Sequence, residues 1–205
     1  MPAGHLRFVA AARTDTIVDV RPADASKGRD VKAAERTTVE FTDGVLRVAT
    51  PEKNAAFGPS GTVEVTVQLP AGSRVEAKAG AELRGAGRLG DVTVHDSYGP
   101  IKLDEASSAT LGTLDGDITI GRLTGPAEVA TARGDVRVDE ALQGKVVLST
   151  QLGDVTVGVP AGVTTSLNAG TTHGRITNAL ANTGGDVALE IHATTTAGDI
   201  AARTL

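Results

Sequence analysis

From Gly90 to Val157 a five-residue phrase (glycine, polar, apolar, polar, apolar) returns about every nine residues, as in Gly90-Asp91-Val92-Thr93-Val94, Gly116-Asp117-Ile118-Thr119-Ile120, Gly134-Asp135-Val136-Arg137-Val138 and Gly153-Asp154-Val155-Thr156-Val157. A strand this short cannot bury its apolar face alone, so successive copies must stack and share one core. The copies interleave in two series. One contains Gly99, Gly116, Gly134, Gly153, Gly174 and Gly198, separated by 17, 18, 19, 21 and 24 residues, and the other contains Gly90, Ser107, Gly125, Gly144, Thr164 and Gly185. The expected fold is all-β, a single-stranded β-solenoid with about 18 residues and two strands per rung. A three-sided coil is the alternative.

Strand side chains alternate, which sends the second and fourth residues after each glycine inward and leaves Thr93, Lys102, Thr119, Arg137 and Thr156 outside. Continued backwards, the same alternation places Leu114, Leu123, Ala132 and Leu142 on the inward side, where they would form the third strand of a three-sided coil. Towards the C-terminus the inward column weakens at Asn178, and the last rung is expected to be Thr194 to Ala202, with little to cover its edge.

Before the array the strands are longer: Thr16 to Val20, Thr38 to Phe41, Val45 to Val48 and Thr62 to Leu69, with a turn at Asp43-Gly44. Pro22 to Arg36 and Pro51 to Gly61 are polar, and the first reads as a loop because Gly28 interrupts it. With no linker-like change of composition, residues 1–205 read as one β-solenoid domain, in which 1–72 are irregular strands and cap and 73–205 are the regular array.

Composition narrows the chemistry. The chain has no cysteine, which removes disulfides and thiolate sites, and only 2% aromatic residues, which leaves a narrow aliphatic core. A net charge of −5 disfavours direct nucleic-acid binding, and no apolar run is long enough to insert in a membrane. The first residues, Met1 to Arg7, lack an export pattern, so the expected location is the cytoplasm; a cell-surface or secreted protein whose signal peptide was removed is the alternative.

The recurring Gly-Asp pair stacks Asp91, Asp117, Asp135, Asp154 and Asp199 in a column, with Asp186 in the other series. Calcium between turns could hold such a column, but Gly-Asp is also a turn pair whose carboxylate accepts backbone N–H bonds, and Pro100, Pro126, Lys145 and Arg175 interrupt it. The turn reading is therefore preferred, with no metal and no cofactor. His5, His95, His173 and His192 have no ligand spacing, and His95-Asp96-Ser97 are adjacent residues that point in different directions, unlike a triad. Ser107-Ser108 and Gly58-Pro59-Ser60-Gly61 lack the pattern of a nucleophile elbow. Thr93, Thr110, Thr119 and Thr156 suggest an ice-binding face, which Lys102, Glu128 and Arg137 interrupt. No catalytic, cofactor-binding or metal residue is assigned, and the chain is expected not to be an enzyme.

The array, together with Arg13 to Pro22 and Val67 to Ser73, resembles the bacterial β-strand-repeat family labelled "putative adhesin", whose function is uncharacterised. The resemblance implies a β-solenoid and carries no catalytic residues. The expected function is a non-enzymatic scaffold or protein-interaction module. It would self-associate through its sheet ends and could take an unidentified protein partner. An exported surface adhesin that binds protein or glycan is the alternative, and a solenoid carbohydrate-active enzyme is the weakest reading.

Overall fold

A computed structural model describes residues 4–50, 61–78, 82–182 and 184–205, without the side chain of Asp96. Gly58, Pro59 and Ser60, with the rest of the polar stretch from Pro51, therefore lie outside the described residues. The chain runs through β1 (Gly4–Ala11), β2 (Ile17–Pro22), α1 (Gly28–Glu35), β3 (Thr38–Thr42), β4 (Val45–Ala49) and β5 (Val63–Pro70). The array follows as β6 (Val75–Lys78), β7 (Glu82–Ser97), β8 (Ile101–Asp115), β9 (Ile118–Leu123), β10 (Ala127–Arg133), β11 (Val136–Ala141), β12 (Gly144–Leu152) and β13 (Val155–Val159). It ends with β14 (Thr165–His173), β15 (Ile176–Ala179), β16 (Leu189–Ala197) and β17 (Ile200–Thr204).

The fold is all-β and solenoid-like. Among the described residues fifteen strands join one sheet, and β3 and β4 pair separately as a hairpin. The array forms two parallel ladders, and the long strands β7 and β8 belong to both, pairing at one end in each. Leu83, Ile101, Ile118, Val136, Val155 and Ile200 align as one inward row, and Val92, Ala109, Ala127, Val146 and Ile191 as the other. Both rows fall in one apolar core. The inward parity read from the second and fourth residues therefore holds for the phrases from Gly90 to Val157 and for that of Gly198, and fails at Thr164, Gly174 and Gly185, where Ser166, Asn168, Ile176, Asn178 and Val187 are exposed.

The backward extension of that parity does not hold throughout. Leu123 is buried, but Leu114 is half-exposed, and the buried residue before the Gly116 corner is Thr113. Gly116, Gly134, Gly153 and Gly198 have φ between +133° and +148°. That conformation turns the chain between ladders, and it breaks the alternation, so the buried positions on either side are three residues before and two after the glycine.

Pro22 to Arg36 is not a loop throughout, because α1 occupies its second half. Gly28 is the first helical residue, where it costs less than in a helix interior. The preceding turn is held by Asp24, whose carboxylate accepts from the Ser26 amide at 2.9 Å and hydroxyl at 2.6 Å and pairs with Lys27 at 2.9 Å. The Ser26 hydroxyl and the Lys27 ammonium hold the Asp24 carboxyl well below the usual carboxylate range. Helix α1 packs on β2 and β5, and its buried Asp30 accepts from the Thr62 N–H at 3.0 Å. The hairpin turn at Asp43-Gly44 matches its sequence signature, with both residues at positive φ.

The largest departure is the strand order at the C-terminal end. Strand β16 lies between β12 and β14, and β17 lies between β13 and β15, so the final coil is inserted beneath the coil that precedes it. The terminal rung is therefore Thr165 to Ala179, not Thr194 to Ala202. Burial explains the exchange. Leu189, Ile191, Ala193, Ile200 and Ala202 are apolar and buried in the inserted coil, whereas the coil left at the end carries Asn178, which would lack water in the interior.

Candidate functional site

The chemistry-bearing side chains of the array meet at the glycine corners. At each corner the Asp Oδ1 accepts the backbone N–H of the equivalent residue one coil further on: Asp117 from Asp135 (2.8 Å), Asp135 from Asp154 (2.8 Å), Asp154 from Asp199 (2.7 Å) and Asp199 from Arg175 (2.8 Å). Stacked carboxylates tolerate one another here because each faces an amide dipole. The order of the ladder reproduces the inserted last coil, and Arg175 ends it. Its guanidinium also reaches Asp199 Oδ2 at 3.3 Å.

A second ladder runs beside the first, and the sequence pattern did not reveal it. Ser97, Thr113, Thr131, Thr150, Thr195 and Thr171 align across neighbouring strands. The Thr131, Thr150, Thr195 and Thr171 hydroxyls donate to the carbonyls of Gly116, Gly134, Gly153 and Gly198 at 2.9 to 3.1 Å. Every one of these threonines lies three residues before a glycine of the first series, and that fixed offset was the available signal. The Thr hydroxyl and the Asp carboxylate thus join each coil to its neighbour at the corner, where the turn interrupts the regular ladder.

The backbone N–H of Arg175, and secondarily its guanidinium, holds the Asp199 carboxyl below its ordinary 3.8. A folded-state pKa lower than that of the unfolded chain contributes stability that is full above the unfolded value and is lost as pH falls through the folded one. Melting temperatures measured down from about pH 4 should therefore fall more steeply for the wild type than for Asp199→Asn. Superimposable acid limbs would show that this carboxylate adds nothing.

The remaining candidates are dispersed. Asp91 accepts from the Ser108 hydroxyl at 2.6 Å, and Asp186 is exposed and outside the ladder. His5 pairs with Glu82 at 3.1 Å and His192 with Glu190 at 2.9 Å, the latter contact lowering the Glu190 carboxyl pKa. His95 and His173 are exposed. A register shift between Val94 and Ser97 buries Ser97 while His95 stays outside, so these two residues face apart. Thr93 lies beside Thr110 and Thr110 beside Glu128, while Lys102, Thr119, Arg137 and Thr156 form the other outward row, so charged residues break the threonine face as the sequence indicates. Leu6, Phe8, Leu46, Val48, Val67 and Ala77 contribute to a groove of about 290 Å³ beside the hairpin. Among the described residues no helix is long and apolar enough to cross a membrane.

A family model described as Toastrack DUF4097 matches residues 15–204. Among solved structures, the chain is similar to a "putative cell adhesion protein" from Clostridium sporogenes at 10% identity, with 100% of this chain and 89% of that chain covered and a TM-score of 0.38. No curated protein matches.

Proposed function

We propose, since the chain belongs to the Toastrack DUF4097 family and engages its recurring carboxylates with its own backbone, that it is a non-enzymatic structural scaffold or protein-interaction module built as a β-solenoid. The Asp ladder is the observation that carries this reading. A catalytic or metal-binding carboxylate needs its oxygens turned towards a ligand, whereas Oδ1 of Asp117, Asp135, Asp154 and Asp199 is directed at an amide of the next coil. The same ladder makes the coils a stiff stack, and the outward rows display side chains at the regular strand spacing of about 4.8 Å, a geometry suited to presenting a surface to another protein. The family resemblance read in the sequence, to bacterial repeat proteins of uncharacterised function, is consistent with this proposal.

The test separates structural carboxylates from calcium ligands. In the triple variant Asp117→Asn, Asp135→Asn, Asp154→Asn the amide oxygen still accepts the backbone bond while the charge is gone. Both proteins should melt within about 5 °C of each other, and neither excess chelator nor millimolar Ca²⁺ should move either transition. A large Ca²⁺-dependent rise in the wild type that is lost in the triple variant would overturn the scaffold reading and favour a calcium-dependent surface adhesin.

A further inference from the structure

The insertion of β16 and β17 leaves β14 and β15 at the end of the stack, each hydrogen-bonded, among the described residues, to a strand on one side only. Asn182 shows which backbone groups look outward. Its Oδ1 accepts the Thr165 N–H and its Nδ2 donates to the Thr165 carbonyl, both at 2.9 Å, while the Thr164 carbonyl accepts from Ala188 and Leu189 on the β16 side. In a parallel ladder both backbone groups of a residue point to the same side, and consecutive residues alternate. The N–H and C=O of Leu167, Ala169 and Thr171 therefore form the outer edge beyond the corner that Asn182 closes.

This edge lacks the usual protections. Neither strand contains Lys, Arg, Asp, Glu or proline, and neither ends in a bulge that turns it away. Ile176 is 46% exposed on β15, and Leu167 and Ala169 are only partly covered. The opposite end of the molecule is protected: its edge strands carry charge and proline, with Asp19, Arg21 and Pro22 on β2 and Glu76 and Lys78 on β6, α1 packs on β2 and β5, and Leu46 and Val48 of the hairpin rest against the core.

We infer that the β14–β15 end pairs with the same end of a second copy of this chain to form a closed two-fold dimer. Neither strand carries a Lys, Arg, Asp or Glu to repel its own copy, and Arg175, at the corner between them, is paired with Asp199. With one end bare and the other guarded by charge and proline, a head-to-tail contact sets the bare edge against a protected one, so the symmetric contact is the one that satisfies the edge. An axis perpendicular to the sheets sets β14 antiparallel to β14 beyond the corner that Asn182 closes, and β15 antiparallel to β15. Centred on Ala169, it opposes Leu167 of one copy to Thr171 of the other, and on β15 it opposes the exposed Ile176 of one copy to Ala179 of the other. The dimer deepens the scaffold reading, on which it rests for its purpose, by naming the partner as the chain itself.

Sedimentation equilibrium of the full chain over a wide concentration range should give twice the monomer mass of 20.7 kDa. Two variants address the edge. Ala169→Pro removes an outward N–H that no strand among the described residues uses, and Gly170→Lys adds a charge where a Cβ meets nothing within 4 Å. Each should raise the dimer dissociation constant roughly tenfold or more, with far-UV circular dichroism and melting of the monomer unchanged for Gly170→Lys even if proline perturbs the strand. A wild-type monomer at every concentration, a dimer indifferent to Gly170→Lys, or particles that grow beyond two copies would each overturn the inference. None of these results depends on calcium, so failure of the dimer is distinguishable from failure of the scaffold reading, which the melts with chelator and Ca²⁺ decide.

Discussion

Val136→Asp should lower stability by about 3 kcal/mol or more and the melting temperature by about 10 °C, whereas Arg137→Thr, one residue along the same strand, should change stability by less than about 1 kcal/mol. Val136 is 1% exposed and sits between Ile118 and Val155 in the inward row, where a carboxylate would find neither water nor a cation. Arg137 points outward between Thr119 and Thr156, and its loss removes only a surface pair with Asp139. Thermal melts of the two variants decide the matter. Equal destabilisation would mean that the strand does not present alternate faces to core and solvent.

Gly134→Ala should cost roughly 2 to 4 kcal/mol, a large effect for a single methyl group. Two penalties coincide there. Gly134 has φ +133°, and an added Cβ would overlap the Gly116 carbonyl oxygen and lie 2.9 Å from Asp117 Oδ1. The methyl group would therefore push apart the coils at the atoms that accept the Thr131 hydroxyl and the Asp135 amide. Gly162→Ala separates the two penalties, because Gly162 has φ +89° and open space around it, which leaves about 1 to 2 kcal/mol of backbone strain alone. Denaturant unfolding of both variants gives the comparison. Equal losses would show that the corners do not pack as tightly as the close approach of Gly134 to Gly116 indicates.

Some features were legible because they are local and recur. A five-residue phrase shows which side chains face inward, since alternation is a property of any strand, and so Val136, Val138, Val155 and Val157 could be placed in the core before any coordinates. The Gly-Asp corner could be understood as turn chemistry for the same reason, and the Asp-to-amide ladder agrees with that reading. Helix α1 was less legible because its eight residues are short and begin with glycine, and its stability comes from packing on β2 and β5. The threonine ladder is not legible in the phrase, because an exposed-looking residue with good strand propensity becomes buried only when the glycine corner shifts the alternation.

The sequence by itself determined the period, the inward aliphatic columns and the backbone partners available to the carboxylates, because these follow from covalent geometry and the burial of apolar side chains within each phrase. Only the tertiary structure decided the order of the last two coils. Both Thr165 to Ala179 and Leu189 to Thr204 carry strands suited to the next position, and which of them enters the stack depends on comparing two interiors, one in which Ile200 is followed by Ala202 and one in which Ile176 is followed by Asn178. That comparison moved the open edge of the protein from its last residues to β14 and β15, because the free-energy difference between burying Ile200 with Ala202 and burying Ile176 with Asn178 belongs to the packed molecule and to no single segment of the chain.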